Sequence, residues 1–156
     1  MRSRDLIKLL SAETGIPDRS DPDVTYWRNA EGQLHRDFGP AAVWADGTQH
    51  WYRNGELHRE DGPAIVGSGG TQAWYRNGSM HREDGPAYVG ADGAQTWFRN
   101  GQRHREDGPA TVYSSGSQVW CRYGKMHRED GPAYLGFDGQ REWWRNGKRL
   151  RCEPGT

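Results

Sequence analysis

Residues 51–64, Trp-Tyr-Arg-Asn-Gly-Glu-Leu-His-Arg-Glu-Asp-Gly-Pro-Ala, belong to a pattern that recurs at a fixed interval of 23 residues. Further copies occupy residues 74–87, 97–110 and 120–133. An early copy opens at Trp27 with one extra residue, and a late, degenerate copy opens at Trp143 with Leu150 in the place of the histidine. A strict period of this length indicates an array of structural repeats.

Each repeat contains two turn signals, which predict β-hairpins. The first is Asn-Gly, the dipeptide that best tolerates the positive φ angles of a tight hairpin turn. It occupies residues 54–55, 77–78, 100–101 and 146–147, with Tyr-Gly at 123–124. The second is Asp-Gly or a relative, at residues 46–47, 69–70, 92–93, 115–116 and 138–139. Two turns per repeat predict two strands per repeat, and therefore an all-β, elongated and twisted single-layer antiparallel meander of stacked hairpins.

A two-residue turn also fixes which side chains face each other. Trp74 should lie opposite His81 and Tyr75 opposite Met80, so Trp74, His81 and Arg76 share one face. The arginine after each histidine falls on the other face. We therefore predict a ladder of alternating indoles and imidazoles along the first face. Besides Trp74 and Trp97, this structural ladder comprises Trp51, Trp120, Trp143, His58, His81, His104 and His127.

The Gly-Pro step that follows each histidine predicts a kink. Proline cannot donate to a β-ladder, so the strand should bend there and curve the sheet into a trough about 50 Å long. The aspartate before Gly-Pro is expected to accept turn amides. The aliphatic residue after each kink is expected to be buried. These residues are Val43, Val66, Val89, Val112 and Leu135.

The first 25 residues differ from the array. Ser3 can cap a helix whose Leu6, Ile7 and Leu10 share a face, and Gly15 would end it. We expect a short N-terminal helix that covers the open edge of the first repeat; a surface for a membrane or a partner is the alternative. Residues 16–25 read as a linker. The predicted domains are thus a cap over residues 1–25 and an array of about five repeats over residues 26–156.

The amino-acid composition argues against several classes of protein. Basic and acidic residues balance at 21 each, which argues against nucleic acid as a partner, although the C-terminus is locally basic. Eight Trp and seven Tyr supply apolar area that the few aliphatic residues do not, and this predicts an aromatic interior. No apolar run could span a membrane, no signal peptide is visible, and two cysteines make no disulfide framework. We expect free thiols and a cytoplasmic location.

The unit Asn54-Gly55-Glu56-Leu57-His58 and its copies resemble MORN repeats. The resemblance covers about residues 26–149 and rests on the 23-residue period and the Asn-Gly-x-x-His spacing. After the histidine this chain has Arg-Glu-Asp-Gly-Pro-Ala where MORN units have Gly-x-Gly, so it resembles a MORN-like variant. The repeated segment His-Arg-Glu-Asp-Gly-Pro-Ala also resembles arrays found in phage and giant-virus reading frames. The resemblance implies stacked β-hairpins and permits binding of lipid headgroups.

The repeated histidines invite a metal-site hypothesis, which the spacing disfavours. Equivalent strands lie roughly 10 Å apart, whereas zinc ligands must lie within ~2.0–2.3 Å of one ion. We expect no metal and no cofactor. Each imidazole should instead bond through one nitrogen to the backbone or to a carboxylate.

The His-Arg-Glu-Asp clusters do not read as a catalytic site, because such a site occurs once and in a particular environment. The chain is therefore not expected to be an enzyme. Charge ladders to the next repeat are the expected role of these residues.

A single-layer sheet cannot bury both faces, so an aromatic and arginine-rich face should remain available for binding. The candidate residues are Arg53, Arg76, Arg99, Arg122, Trp74, Trp97, Tyr75 and Phe98. The leading hypothesis is a non-catalytic scaffold that binds a protein partner. If the phage resemblance holds, that partner would be a host or defence protein. The alternatives are binding of anionic lipid or small molecules, and oligomerisation through open sheet edges.

Overall fold

A computed structural model describes residues 16–156, and these are all strands, turns and loops. The chain forms two compact units, the first ending at Ser79 and the second beginning at Met80. The predicted N-terminal helix lies outside the described residues. The predicted linker over residues 16–25 is wrong at residues 16–21, which form the first strand of the described sheet, and at residues 24–25, which begin the strand paired with it.

The first unit contains short strands separated by the predicted turns. Their bounds are β1 Ile16–Asp21, β2 Val24–Arg28, β3 Ala42–Trp44, β4 Gln49–His50, β5 Tyr52–Arg53, β6 Glu56–Leu57, β7 Ile65–Val66, β8 Gln72–Ala73 and β9 Tyr75–Arg76. Strand β10, Ser79–Met80, lies across the boundary between the units. In the first unit the sheet order is β1-β2-β3-β4-β7-β8, with every neighbour antiparallel, and β5 pairs with β6 in a separate hairpin.

The second unit repeats this arrangement. Its strands are β11 Tyr88–Val89, β12 Gln95–Thr96, β13 Phe98–Arg99, β14 Gln102–Arg103, β15 Thr111–Val112, β16 Gln118–Val119, β17 Cys121–Arg122, β18 Lys125–Met126, β19 Tyr134–Leu135, β20 Arg141–Arg145 and β21 Lys148–Glu153. The sheet order is β11-β12-β15-β16-β19-β20-β21, again antiparallel, while β13-β14 and β17-β18 form hairpins. The predicted meander of antiparallel hairpins is confirmed within each unit.

The first turn has the backbone that its sequence predicts. Asn100 has a φ of 49° and Gly101 a φ of 77°, as a type I′ turn requires, and the other hairpins match. The second turn is longer. Gly47 has a φ of 88° and donates to the Trp44 carbonyl, while the Thr48 N–H bonds to the Asp46 carboxylate. This is a three-residue loop with glycine at its left-handed position.

The kink after the histidine is a loop that leaves the ladder and returns to it. The His58 N–H donates to the Trp51 carbonyl, and the Trp51 N–H donates to the Ala64 carbonyl, so residues 59–63 lie outside this ladder. The Arg59 N–H donates instead to the Tyr75 carbonyl of the next hairpin, at 3.2 Å. We call such segments the bulge loops. They are residues 36–40, 59–63, 82–86, 105–109 and 128–132. The bulge loop therefore divides the strand expected after the Asn-Gly turn, and the strand expected before that turn is divided at its tryptophan, as β4 and β5 show at Trp51.

The most completely buried residues of the repeats are alanines, which are smaller than the aliphatic residues that the sequence predicts to be buried. The alanines that close the bulge loops, among them Ala64, Ala110 and Ala133, are fully buried. The predicted aliphatics Val43, Val66, Val89, Val112 and Leu135 are only half-buried, as are the tryptophans of the array. A thin sheet covers a methyl group next to its backbone but leaves one side of a larger side chain in solvent. The aromatic interior is thus a set of half-covered rings.

Candidate functional site

An arginine covers the indole of Trp27, Trp51, Trp97 and Trp120, where the sequence predicts an imidazole. An imidazole does lie against Trp44, outside the predicted ladder, with the His50 ring centroid at 4.3 Å. In the second unit the Arg105 guanidinium carbon lies 4.0 Å from the centroid of the Trp97 ring, within the range of a cation–π contact. The pair repeats as Arg36 on Trp27, Arg59 on Trp51 and Arg128 on Trp120, at 4.0–4.1 Å. The arginine was assigned to the opposite face because strand alternation was extended through the bulge loop, where the chain turns back over the tryptophan.

The bulge loop holds this guanidinium in a defined position. Arg105 donates from Nε to the Asp107 carboxylate at 2.9 Å and from Nη1 to the Pro109 carbonyl at 3.4 Å. A Cβ on Gly108 would lie 3.0 Å from the Arg105 Cζ, so the glycine lets the guanidinium approach the backbone closely, and a larger residue would displace it by a few tenths of an ångström. The aspartate thus accepts from arginine instead of from the turn amides predicted for it. These hydrogen bonds lower the pKa of the Asp107 carboxyl, and those of Asp61, Asp84 and Asp130 fall for the same reason.

The histidines connect neighbouring hairpins. His104 Nδ1 accepts the backbone N–H of Tyr123 at 3.2 Å, and His127 Nδ1 accepts that of Asn146 at 3.2 Å. His104 Nε2 lies 3.4 Å from Glu106 Oε1 without a well-formed hydrogen bond. The expected bond from one imidazole nitrogen to the backbone is confirmed. The other copies with this bond are His35, His58 and His81.

The candidate binding residues separate into two groups. Arg53, Arg76, Arg99 and Arg122 are exposed, whereas Trp74, Trp97, Tyr75 and Phe98 are half-buried. Arg53 contacts Glu60 of its own repeat at 3.4 Å, so this charge contact lies within a repeat and not between repeats as predicted. Burial raises the pKa of the Tyr75 phenol, and the nearby phenol of Tyr52 makes a smaller contribution in the same direction.

Consecutive bulge loops enclose a series of open clefts. In the second unit a cleft of about 700 Å³ lies between loops 82–86 and 105–109, with Trp97, Phe98 and Arg99 in its lining. A second cleft of about 660 Å³ shares loop 105–109 and reaches loop 128–132. The first unit has a cleft of about 580 Å³ between loops 36–40 and 59–63. Each cleft therefore presents the same elements: a covered indole, an exposed arginine and the carboxylates of two loops.

Among residues 16–156, no group of three or more His, Cys, Asp or Glu side chains could hold a metal ion. No helix in this part of the chain is long and apolar enough to cross a membrane. Both cysteines are free, as predicted, with Cys121 buried and Cys152 exposed. Burial raises the pKa of the Cys121 thiol.

A scan against protein-family models finds none that matches the chain, and a search of curated proteins finds no match either.

Proposed function

We propose that the protein is a non-catalytic repeat scaffold that binds an extended segment of a partner protein in the clefts between its bulge loops. The observation that carries this proposal is the recurrence of one open cleft, with the same lining, between consecutive loops. A repeated surface suits a repeated or extended ligand, whereas catalysis needs one activated group in a particular environment. The MORN-like identity and the trough shape remain predictions on which this proposal does not depend.

The spacing of the clefts fits an extended chain. Equivalent strands of neighbouring repeats are two strand spacings apart, roughly 10 Å, and an extended segment advances ~3.3 Å per residue. A segment lying across the strands would therefore place every third side chain over a cleft. In the second unit loop 105–109 forms a wall of both clefts, so two consecutive clefts can hold one segment.

The lining indicates what this segment contacts. The Arg105 guanidinium is engaged by the loop itself, so it forms part of the wall. Arg99 and Arg122 are exposed and can bond to backbone carbonyls or carboxylates of the segment. Glu106 and Asp107 have side chains 64% and 82% exposed and can accept from its amides or cations. Arginine beside aromatic rings is a common anchor at protein interfaces.

Selection from a displayed library of random peptides tests this function. We expect enriched peptides that bind the full chain and carry preferences at every third position. Arg99→Ala combined with Arg122→Ala should weaken binding of a selected peptide at least about tenfold, as loss of interface anchors does. Arg19→Ala, an exposed arginine on β1 outside the clefts, is the matched control. Failure to enrich any peptide, or equal affinity of the double variant and the control, would refute the proposal.

The resemblance to phage reading frames supports a host or defence protein as the partner, and the two free thiols support a cytoplasmic setting.

A further inference from the structure

The tips of the last two hairpins carry a cluster of four cations, three of which lie outside the cleft linings. Arg122 pairs with Lys125 across one turn, and Arg145 pairs with Lys148 across the next. The two tips are adjacent. The Gly147 N–H donates to the Met126 carbonyl, and a Cβ on Gly147 would lie 3.6 Å from the Lys125 Cβ. All four cationic side chains are exposed.

No carboxylate among the described residues forms an ion pair with these four cations. Asp130 accepts from Arg128, Glu142 accepts from Trp144 and Gln140, and Glu153 contacts Arg151. Glu129 lies 3.6 Å from His127 of its own repeat, with its side chain 73% exposed. These acidic groups contact their own repeats, and the hairpin tips present a positive surface.

The first unit shows that this charge is a local property. At the position of Lys125 the first hairpin has Glu56, and at the position of Arg122 it has Arg53, which contacts Glu60. From the first complete repeat to the last hairpin this column reads Glu56, Ser79, Gln102, Lys125 and Lys148. The neutral charge of the whole chain, which led us to expect no nucleic-acid partner, therefore conceals a gradient from acidic to basic.

An exposed aromatic ring lies inside the cationic cluster. Tyr123 stands where the other hairpins have asparagine, and its φ of 48° is unfavourable for a bulky residue. Its ring centroid lies 4.4 Å from that of the buried His104, and 58% of the residue is exposed. The Tyr123 ring thus packs against the buried His104 imidazole, and its exposed surface is available for stacking.

We infer that the tips of hairpins β17-β18 and β20-β21 form a binding site for single-stranded nucleic acid. Lysine and arginine would contact successive phosphates while one base stacks on Tyr123. Cations and an exposed ring on one surface are the combination by which single strands are bound without sequence readout. An acidic peptide or a phospholipid surface would use the cations but would have no need of the ring. Tyr123 and the two lysines lie outside the cleft linings, so the inference does not depend on the proposed peptide site.

Fluorescence anisotropy with labelled oligothymidylate and the full chain tests the inference. We expect binding that weakens with salt, and about tenfold weaker binding for Tyr123→Asn, since stacking of one base accounts for a change of that order. Asparagine occupies this position in the neighbouring hairpins, so the variant suits the turn. Lys125→Gln with Lys148→Gln should lower the slope of log K against log salt by about 1.4, or about 0.7 per phosphate contact. Arg19→Gln, which removes an exposed cation on β1 outside both proposed sites, should change neither quantity.

Three further probes separate the alternatives: polyglutamate, phosphatidylserine vesicles and duplex DNA. Competition by oligothymidylate that exceeds competition by all three supports the inference. It is overturned if oligothymidylate does not bind, if Tyr123→Asn binds as the parent does while remaining folded by circular dichroism, or if polyglutamate, vesicles or duplex DNA compete equally well. The last result would define a general anion surface.

Discussion

Replacing Arg105 with methionine should destabilise the second unit by about 2 kcal/mol. Methionine matches the flexible apolar stem of arginine but is shorter and lacks the charge that lies 4.0 Å from the Trp97 ring centroid. A cation–π contact at a site of partial exposure is worth about 1 kcal/mol. The hydrogen bond from Nη1 to the Pro109 carbonyl, which is partly buried, adds about 1 kcal/mol. The bond to Asp107 adds little, because that carboxylate is exposed.

Urea unfolding followed by tryptophan fluorescence measures this loss, and hydrogen exchange of the amides in residues 80–156 localises it. The matched control is Arg99→Met, two residues from the same tryptophan but exposed, and its effect should stay within about 0.5 kcal/mol. Arg105→Lys should fall between the two, since lysine restores the charge without the planar fork. If Arg105→Met and Arg99→Met lowered stability equally, the guanidinium would not stabilise the loop and our account of the repeat would be refuted.

Three further predictions concern individual groups. Because hydrogen bonds from Arg105 lower the pKa of Asp107, this carboxylate stabilises the fold above its unfolded pKa of about 3.9, and that contribution is lost as the pH falls through the lowered value; NMR titration should show an ordinary pKa in Arg105→Met. Burial lowers the pKa of His50, so the unfolded chain binds its proton first and stability should decline as the pH falls below about 6.5, a decline that His50→Gln removes in urea titrations. Ellman's reagent should modify Cys152 in the native protein and Cys121 only after unfolding, because Cys121 is buried and burial raises the pKa of its thiol; rapid modification of both would contradict the fold.

The hairpin geometry could be predicted because it depends on local chemistry. Asn100 and Gly101 adopt the positive φ angles that their dipeptide favours, and the turn then fixes the register. Phe98 accordingly lies opposite Arg103, and the His104 N–H bonds to the Trp97 carbonyl. The turn and its register therefore follow from the Asn-Gly dipeptide and from the alternation of side chains along a strand.

The bulge loop could not be predicted in the same way, because it depends on a contact between its two ends and the strand beside it. Gly108 signalled a bend but not that its missing Cβ makes room for the Arg105 guanidinium. The prediction that the arginine lies away from Trp97 failed for this reason. At the other end of the chain, Pro17 in residues 16–21 indicated a linker, yet it lies in an edge strand, where the missing N–H removes no sheet bond.

The last copy of the pattern shows what the histidine does in the others. Where Leu150 replaces it, strand β21 runs on through Glu153 with a single irregularity in register, and no bulge loop forms. Arg151 still lies over Trp143, with its guanidinium carbon 4.6 Å from the ring centroid, so the arginine–tryptophan contact does not require the histidine. The contact absent from this copy is the imidazole nitrogen that receives a turn amide, as His127 receives that of Asn146. The histidine therefore serves the junction between one hairpin and the next, and the stacking of hairpins accounts for its recurrence at residues 35, 58, 81, 104 and 127.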